Sequence, residues 1–120
     1  MGQLNLLIVD DEEMLLDSLS RFFTRKGFNV TTANGVLSAR ELIKKNEYQI
    51  LITDMRMPDG LGIEVIVLQR QLRPSSIIFC ATGFSEEDEN SILEKGADAV
   101  IAKPFEKKAI LEKIFTALSR

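Results

Sequence analysis

Five short apolar runs, each followed by a stretch with helical periodicity and very little spare chain, constrain what this 120-residue sequence can become. The runs are Leu4 to Val9, Phe28 to Ala33, Tyr48 to Thr53, Ile77 to Thr82 and Ala99 to Ala102. Most are continuously apolar rather than alternating, the pattern of strands covered on both faces, which is the habit of parallel sheets. Helical spacing follows each one. Met14 to Lys26 places Leu15, Leu19, Phe22 and Phe23 on one side before Gly27 stops it, and Gly35 to Asn46 carries Val36, Ala39, Leu42 and Ile43, with Asn34 as the expected N-cap. A third helix follows the turn-like MPDGLG, with Ile63, Ile66, Arg70 and Leu72 along its length and Pro74 at its end. A fourth runs from an N-cap at Ser85 to Gly96 with only Ile92 and Leu93 strongly apolar, so it is lightly anchored. The fifth spans Glu106 to Leu118.

Short connections between strands and helices predict a doubly wound α/β fold: a five-stranded parallel sheet with five helices on its two faces, in the flavodoxin-like order 2-1-3-4-5. The weak second strand belongs at an edge. In this order the topological reversal lies between strands one and three, and ligands bind at the carboxyl ends there. The chain reads as one domain over residues 1–120, with no repeat or linker.

Composition narrows the function classes. A net charge of -3 without a basic run argues against direct nucleic-acid or anionic-membrane binding. No apolar stretch approaches the roughly 20 residues of a membrane span, and the start, MGQLNLLIVD, reads as a lead into a strand rather than a signal peptide, so a cytoplasmic address is expected. The lone Cys80, inside SIIFCAT, reads as a buried small hydrophobe.

Polar residues close the apolar runs. Asp10 and Asp11 follow the first, Asp54 the third, Thr82 ends the fourth and Lys103 follows the fifth. Taken singly, helix capping explains Asp10 and Asp11, a turn explains Asp54, and a solvated strand end explains Lys103. Together, on the predicted sheet, they form one acidic pocket holding a hydroxyl and an ammonium. With no histidine in the chain, hard carboxylate oxygens suit Mg²⁺ rather than zinc. A carboxylate is also a nucleophile towards phosphorus, and such transfer is catalysed mainly by positioning and charge neutralisation.

The motifs VDDE at Val9 to Glu12, TDMRMPDG at Thr53 to Gly60, ATG at Ala81 to Gly83 and KPF at Lys103 to Phe105 resemble those of response-regulator receiver domains, the phosphoacceptors of two-component signalling. The resemblance runs from Leu4 nearly to the C-terminus. It implies that Asp54 is phosphorylated by a sensor histidine kinase or a phosphotransfer protein, and that Asp11, Asp54 and the Arg56 carbonyl bind Mg²⁺ directly. It further implies that Asp10 acts through a metal-bound water, that Thr82 and Lys103 meet the phosphoryl group, and that Pro104 follows a cis peptide. The implied output is a conformational switch that controls an effector, with a lean towards transcription. Two other readings stay open: a Mg²⁺-dependent aspartyl-phosphate phosphatase, which would want a second acid where Arg56 stands, and a scaffold that works without phosphorylation. The first of these makes the chain an enzyme; the receiver reading does not.

One position departs from the family pattern. Three residues before Lys103 receivers commonly carry a Tyr or Phe, and this chain has Val100, a stiff β-branched residue with no long lever. Phe84 is the alternative aromatic, either moving or screening the pocket. In the last helix Ile110, Ile114 and Leu118 form the expected core stripe, while Leu111 and Phe115 widen the apolar arc, leaving open a homodimer or effector face through the last helices. Glu12 reads as a helix-start acid, and Asp59 with Gly60 as a turn.

Overall fold

The computed structural model describes residues 3–83 and 89–119. Five strands, β1 (Asn5–Val9), β2 (Asn29–Ala33), β3 (Ile50–Asp54), β4 (Ile77–Thr82) and β5 (Ala99–Ala102), form one sheet in the order β2-β1-β3-β4-β5. All neighbours in it are parallel. Five helices connect or follow them: α1 (Glu13–Arg25), α2 (Val36–Lys45), α3 (Gly62–Leu72), α4 (Glu89–Glu94) and α5 (Lys107–Leu118). This is the expected flavodoxin-like arrangement, with the weak β2 at an edge. Phe84 and Ser85, and with them the expected cap of the fourth helix, lie outside the described residues.

Alternate side chains of each strand enter opposite halves of the core. Leu7, Val9, Leu51, Ile78 and Cys80 pack with Val36, Ala39 and Ile43 of α2, Val65 and Ile66 of α3 and Ile92 of α4. Leu6, Ile8, Ile50, Ile52 and Phe79 pack with Leu16, Leu19 and Phe23 of α1 and with Ile110 and Ile114 of α5. Hence α1 and α5 cover one face and α2, α3 and α4 the other, which is why the strand runs are apolar without alternation. Edge-to-face rings of Phe22, Phe23 and Phe28 close the base of α1 at centroid distances of 5.0 and 5.8 Å. Cys80 is fully buried in this apolar setting, with its Sγ 4.0 Å from Met55 Sδ.

Local corrections have physical reasons. The third strand starts at Ile50 rather than Tyr48 and runs through Asp54, so the acid is the last residue of the ladder and not a turn residue beyond it. In α3 the buried face is Val65, Ile66 and Gln69, while Leu72 is 48% exposed; Gln69 tolerates burial because its amide donates to the Tyr48 carbonyl at 2.8 Å. On α1, Leu16 is buried and Leu15 only partly so. Leu118 is exposed at the end of α5, past the sheet that covers Ile110 and Ile114. Asn34 does not cap α2: the N-cap position is Gly35, and the cap comes from Asp59, a distant residue.

Candidate functional site

The parallel register brings the polar strand ends together. Val9 of β1 pairs with Thr53 of β3, Asp54 with Ala81 of β4, and Thr82 with Ala102 of β5, so residues that follow these positions emerge at one edge. Backbone bonds lock the exits. The Asp10 N–H donates to the Ala33 carbonyl at 3.1 Å, Met55 N–H to Ala81 at 3.0 Å and Lys103 N–H to Thr82 at 2.8 Å. The Lys103–Pro104 peptide that follows is cis.

Lys103 is the centre of the cluster. Its Nζ lies 2.8 Å from Asp10 Oδ2 and 3.3 Å from Asp54 Oδ2, and the three side chains are only 20%, 5% and 13% exposed. Asp10 also accepts the Glu12 N–H through Oδ1 at 2.9 Å, so it serves the start of α1 as well as the ion pair. Asp54 Oδ1 accepts the N–H of Met55 at 2.9 Å, which orients the carboxylate and leaves Oδ2 facing the ammonium. Thr82 is half-buried at the end of β4, beside β3. Asp11 and Arg56 are exposed at the rim, the latter on a two-residue antiparallel ladder, Arg56–Met57 against Gly60–Leu61, that continues from β3.

The charges do not balance. Asp10, Asp11 and Asp54 each offer a carboxylate oxygen, all within 4.8 Å of one another, against the Lys103 ammonium. Burial, and after it the Asp10 charge, push the Asp54 carboxyl above its ordinary 3.8; the Lys103 charge and hydrogen bond and the Met55 N–H offset only part of this. Burial pulls Lys103 the other way, but the Asp10 hydrogen bond and both carboxylates outweigh it, so the ammonium is held above its ordinary 10.5. The lysine is thus firmly charged while Asp54 is short of positive charge. An acidic cluster of this kind, with oxygen donors and a surplus of negative charge, can bind a metal ion.

Two glycines, Gly35 and Gly62, and two acids, Asp59 and Glu64, were not legible as residues that shape the site. A Cβ on Gly62 would collide with the Asp54 carbonyl oxygen, and the Gly62 N–H donates to the Met55 carbonyl at 2.6 Å, so the chain returns directly onto Asp54. Glu64 accepts the Leu61 N–H at 3.1 Å, and Asp59 reaches α2 at Gly35. The one available signal was the glycine density of MPDGLG, which points to close backbone approach without saying to what.

Near Lys103 the surface holds an apolar cleft of about 450 Å³ lined by Glu12, Leu15, Gly83, Lys103, Pro104 and Phe105. No helix among the described residues is long and apolar enough to cross a membrane.

Comparison with known proteins agrees with this geometry. Protein PetR of Rhodobacter capsulatus is 36% identical over 118 residues, covering 97% of this chain and 49% of PetR. The chain spans about half the length of the curated relatives it matches. A CheY-like response regulator receiver domain protein from Methanospirillum hungatei superposes with a TM-score of 0.91 at 32% identity, covering 98% of this chain and 95% of that one. A Burkholderia pseudomallei response regulator, solved with a phosphorylated aspartic acid, a calcium ion and citrate, is similar at 26% identity with a TM-score of 0.85, covering 91% of this chain and 65% of that one. The response regulator receiver domain profile matches residues 6–115. With the strand order, the acidic strand ends and these relatives in agreement, the chain belongs to the response regulator receiver domain family, a signalling phosphoacceptor domain of two-component systems.

Proposed function

We propose that the chain stores a phosphoryl group on Asp54, taken from the phosphohistidine of a sensor histidine kinase or phosphotransfer protein. The observation that carries this reading is the Asp54 carboxylate itself: nearly buried at the strand end, with Oδ1 held by Met55 N–H and Oδ2 beside the Lys103 ammonium. An Asp54 oxygen attacks phosphorus, the phosphorus–nitrogen bond to the donor imidazole breaks, and the imidazole keeps the electron pair. Later attack by water returns the carboxylate and releases inorganic phosphate. Lys103 and the Thr82 hydroxyl pair with the phosphoryl oxygens. The apolar cleft beside Lys103 gives the donor protein an approach.

Asp10, Asp11, Asp54 and the Arg56 carbonyl are the residues that would hold Mg²⁺. When bound, the ion supplies charge neutralisation for the phosphoryl oxygens, which the surplus of carboxylate over ammonium otherwise opposes.

Storage rather than turnover is favoured by what surrounds the nucleophile. Two residues beyond it stands Arg56, not an acid that could protonate a leaving group, and the chain has no histidine. The switch biases an effector, and moving it from 1:99 to 99:1 takes about 5.5 kcal/mol of differential stabilisation, within reach of several charge-assisted bonds to one phosphoryl group. Val100 is half-buried against the α2, α3 and α4 half of the core, so the signal travels through shifts of backbone and of the lightly anchored α4 rather than through an aromatic lever. Exposed Phe115 and Leu118 on α5 support a homodimer through the last helices, and a cytoplasmic address without direct nucleic-acid binding belongs to the same reading.

Incubation with Mg²⁺ and acetyl phosphate tests it by intact mass and phosphate release. One labile phosphate per chain, lost slowly, is expected. Sustained turnover would favour the phosphatase reading, and no incorporation would favour the scaffold.

A further inference from the structure

Asp59 sits in the turn of the Arg56–Leu61 hairpin, but its carboxylate does not serve that turn alone. Oδ1 accepts the Val36 N–H at 2.9 Å and Oδ2 accepts the Leu37 N–H at 3.0 Å, so a residue of the loop after β3 caps α2 across 22 and 23 residues of chain. Room for it is made by Gly35, whose Cβ would stand 2.9 and 3.0 Å from those two oxygens. The helix has no side-chain cap of its own. The two N–H groups hold the Asp59 carboxyl below its ordinary 3.8, Leu37 contributing most.

The rest of the loop is fixed at its other end. Gly62 packs on the Asp54 carbonyl and bonds Met55, and Glu64 reaches back to the Leu61 N–H. Residues 55–62 are therefore closed on Asp54 at the base and tied to α2 at the tip. Arg56 lies between these two anchors and is paired with Leu61 across the ladder.

We propose that Asp59 is a positioning residue for the cation site: by tethering the hairpin to α2 through Val36 and Leu37, it sets where the Arg56 carbonyl stands relative to Asp54. This rests on the reading of Arg56 as a ligand. Residues that orient metal ligands change affinity by about 10 to 100-fold when removed, whereas a cap that serves only its helix changes stability alone.

Calorimetric titration with Mg²⁺ separates the two roles, using Asp59→Ala, Asp59→Asn and Glu41→Gly. Glu41 is exposed on α2 and pairs only loosely with Lys44 at 3.8 Å, so Glu41→Gly weakens the same helix without touching the tether. Asp59→Ala is expected to bind Mg²⁺ about tenfold more weakly, Asp59→Asn to lose less because one accepting oxygen remains, and Glu41→Gly to lose thermal stability with unchanged affinity. Wild-type affinity in Asp59→Ala overturns the proposal, as does an equal loss in Glu41→Gly at a matched fall in Tm. Should Asp59→Ala not fold, unchanged affinity in Asp59→Asn overturns it alone. A wild-type protein that binds no Mg²⁺ would instead sink the metal reading beneath it.

Discussion

At the amino ends of β4 and β5, Arg70 faces Asp98; at the carboxyl ends of the sheet, Lys103 faces Asp10 and Asp54. Both clusters are partly buried ion pairs closed by short bonds, and they differ in accounting. The Arg70 guanidinium donates through Nε and Nη2 to the Gly96 carbonyl, through Nη1 to Pro74 and Ser76, and through Nη2 to Asp98, so its fork is fully used. Asp98 in turn accepts the Ile78 N–H at 2.8 Å. Every guanidinium donor has an acceptor, and the cluster's work is to fasten the end of α3 to the starts of two strands. At the other end negative charge is in surplus and Asp54 is pushed towards its neutral form. A satisfied cluster holds a fold together, while an unsatisfied one is stability given up for a ligand.

Breaking the satisfied cluster has the largest expected effect. Arg70→Ala strands the Gly96, Pro74 and Ser76 carbonyls and leaves Asp98 without its cation, and should cost about 3 kcal/mol in urea unfolding, with or without divalent cation. A loss under about 1 kcal/mol would mean that solvent already shares those carbonyls.

The opposite sign is expected at the unsatisfied end. Because the folded Asp54 carboxyl titrates above its ordinary 3.8, its contribution to stability is full below that value and is lost as pH rises through the folded value. At neutral pH in a chelator, Asp54→Asn should therefore unfold at a higher urea concentration than wild type. Added Mg²⁺ should narrow the gap by stabilising wild type selectively. A metal-free Asp54→Asn protein less stable than wild type at pH 7 would show that the site is not strained electrostatically.

A third pair calibrates the other two. Asp17 and Arg21 on α1 lie 2.8 Å apart but are 61% and 69% exposed, so Asp17→Ala should change stability by no more than about 0.5 kcal/mol. A larger change would mean that distance, rather than burial and partner count, sets the worth of these pairs.

How much of this was legible in the sequence follows the range of each interaction. Strand identity, sheet order and the convergence of Asp10, Asp54 and Lys103 rest on local apolar runs and short connections, which a linear reading captures. The phase of α3 was not legible: GIEVIVLQRQL is apolar around most of its circumference, and the Gln69 to Tyr48 bond decides which side goes in. Asn34 was the plausible cap of α2 by proximity, yet a carboxylate from the next loop took the site because Gly35 leaves space for it. Leu118 continued a helical stripe past the point where the sheet ends. Asp10 was readable both as a helix-start acid and as a pocket acid, and its two oxygens do both jobs.

The central claim is that the unsatisfied end exists to take a phosphoryl group on Asp54. Borohydride reduction of protein treated with acetyl phosphate and Mg²⁺, followed by peptide mapping, converts an acyl phosphate into a marked residue at its own position. The mark is expected at position 54 alone and absent when Mg²⁺ is chelated; a mark at Asp10 or Asp11, or none while phosphate is retained on Thr82, would contradict the account.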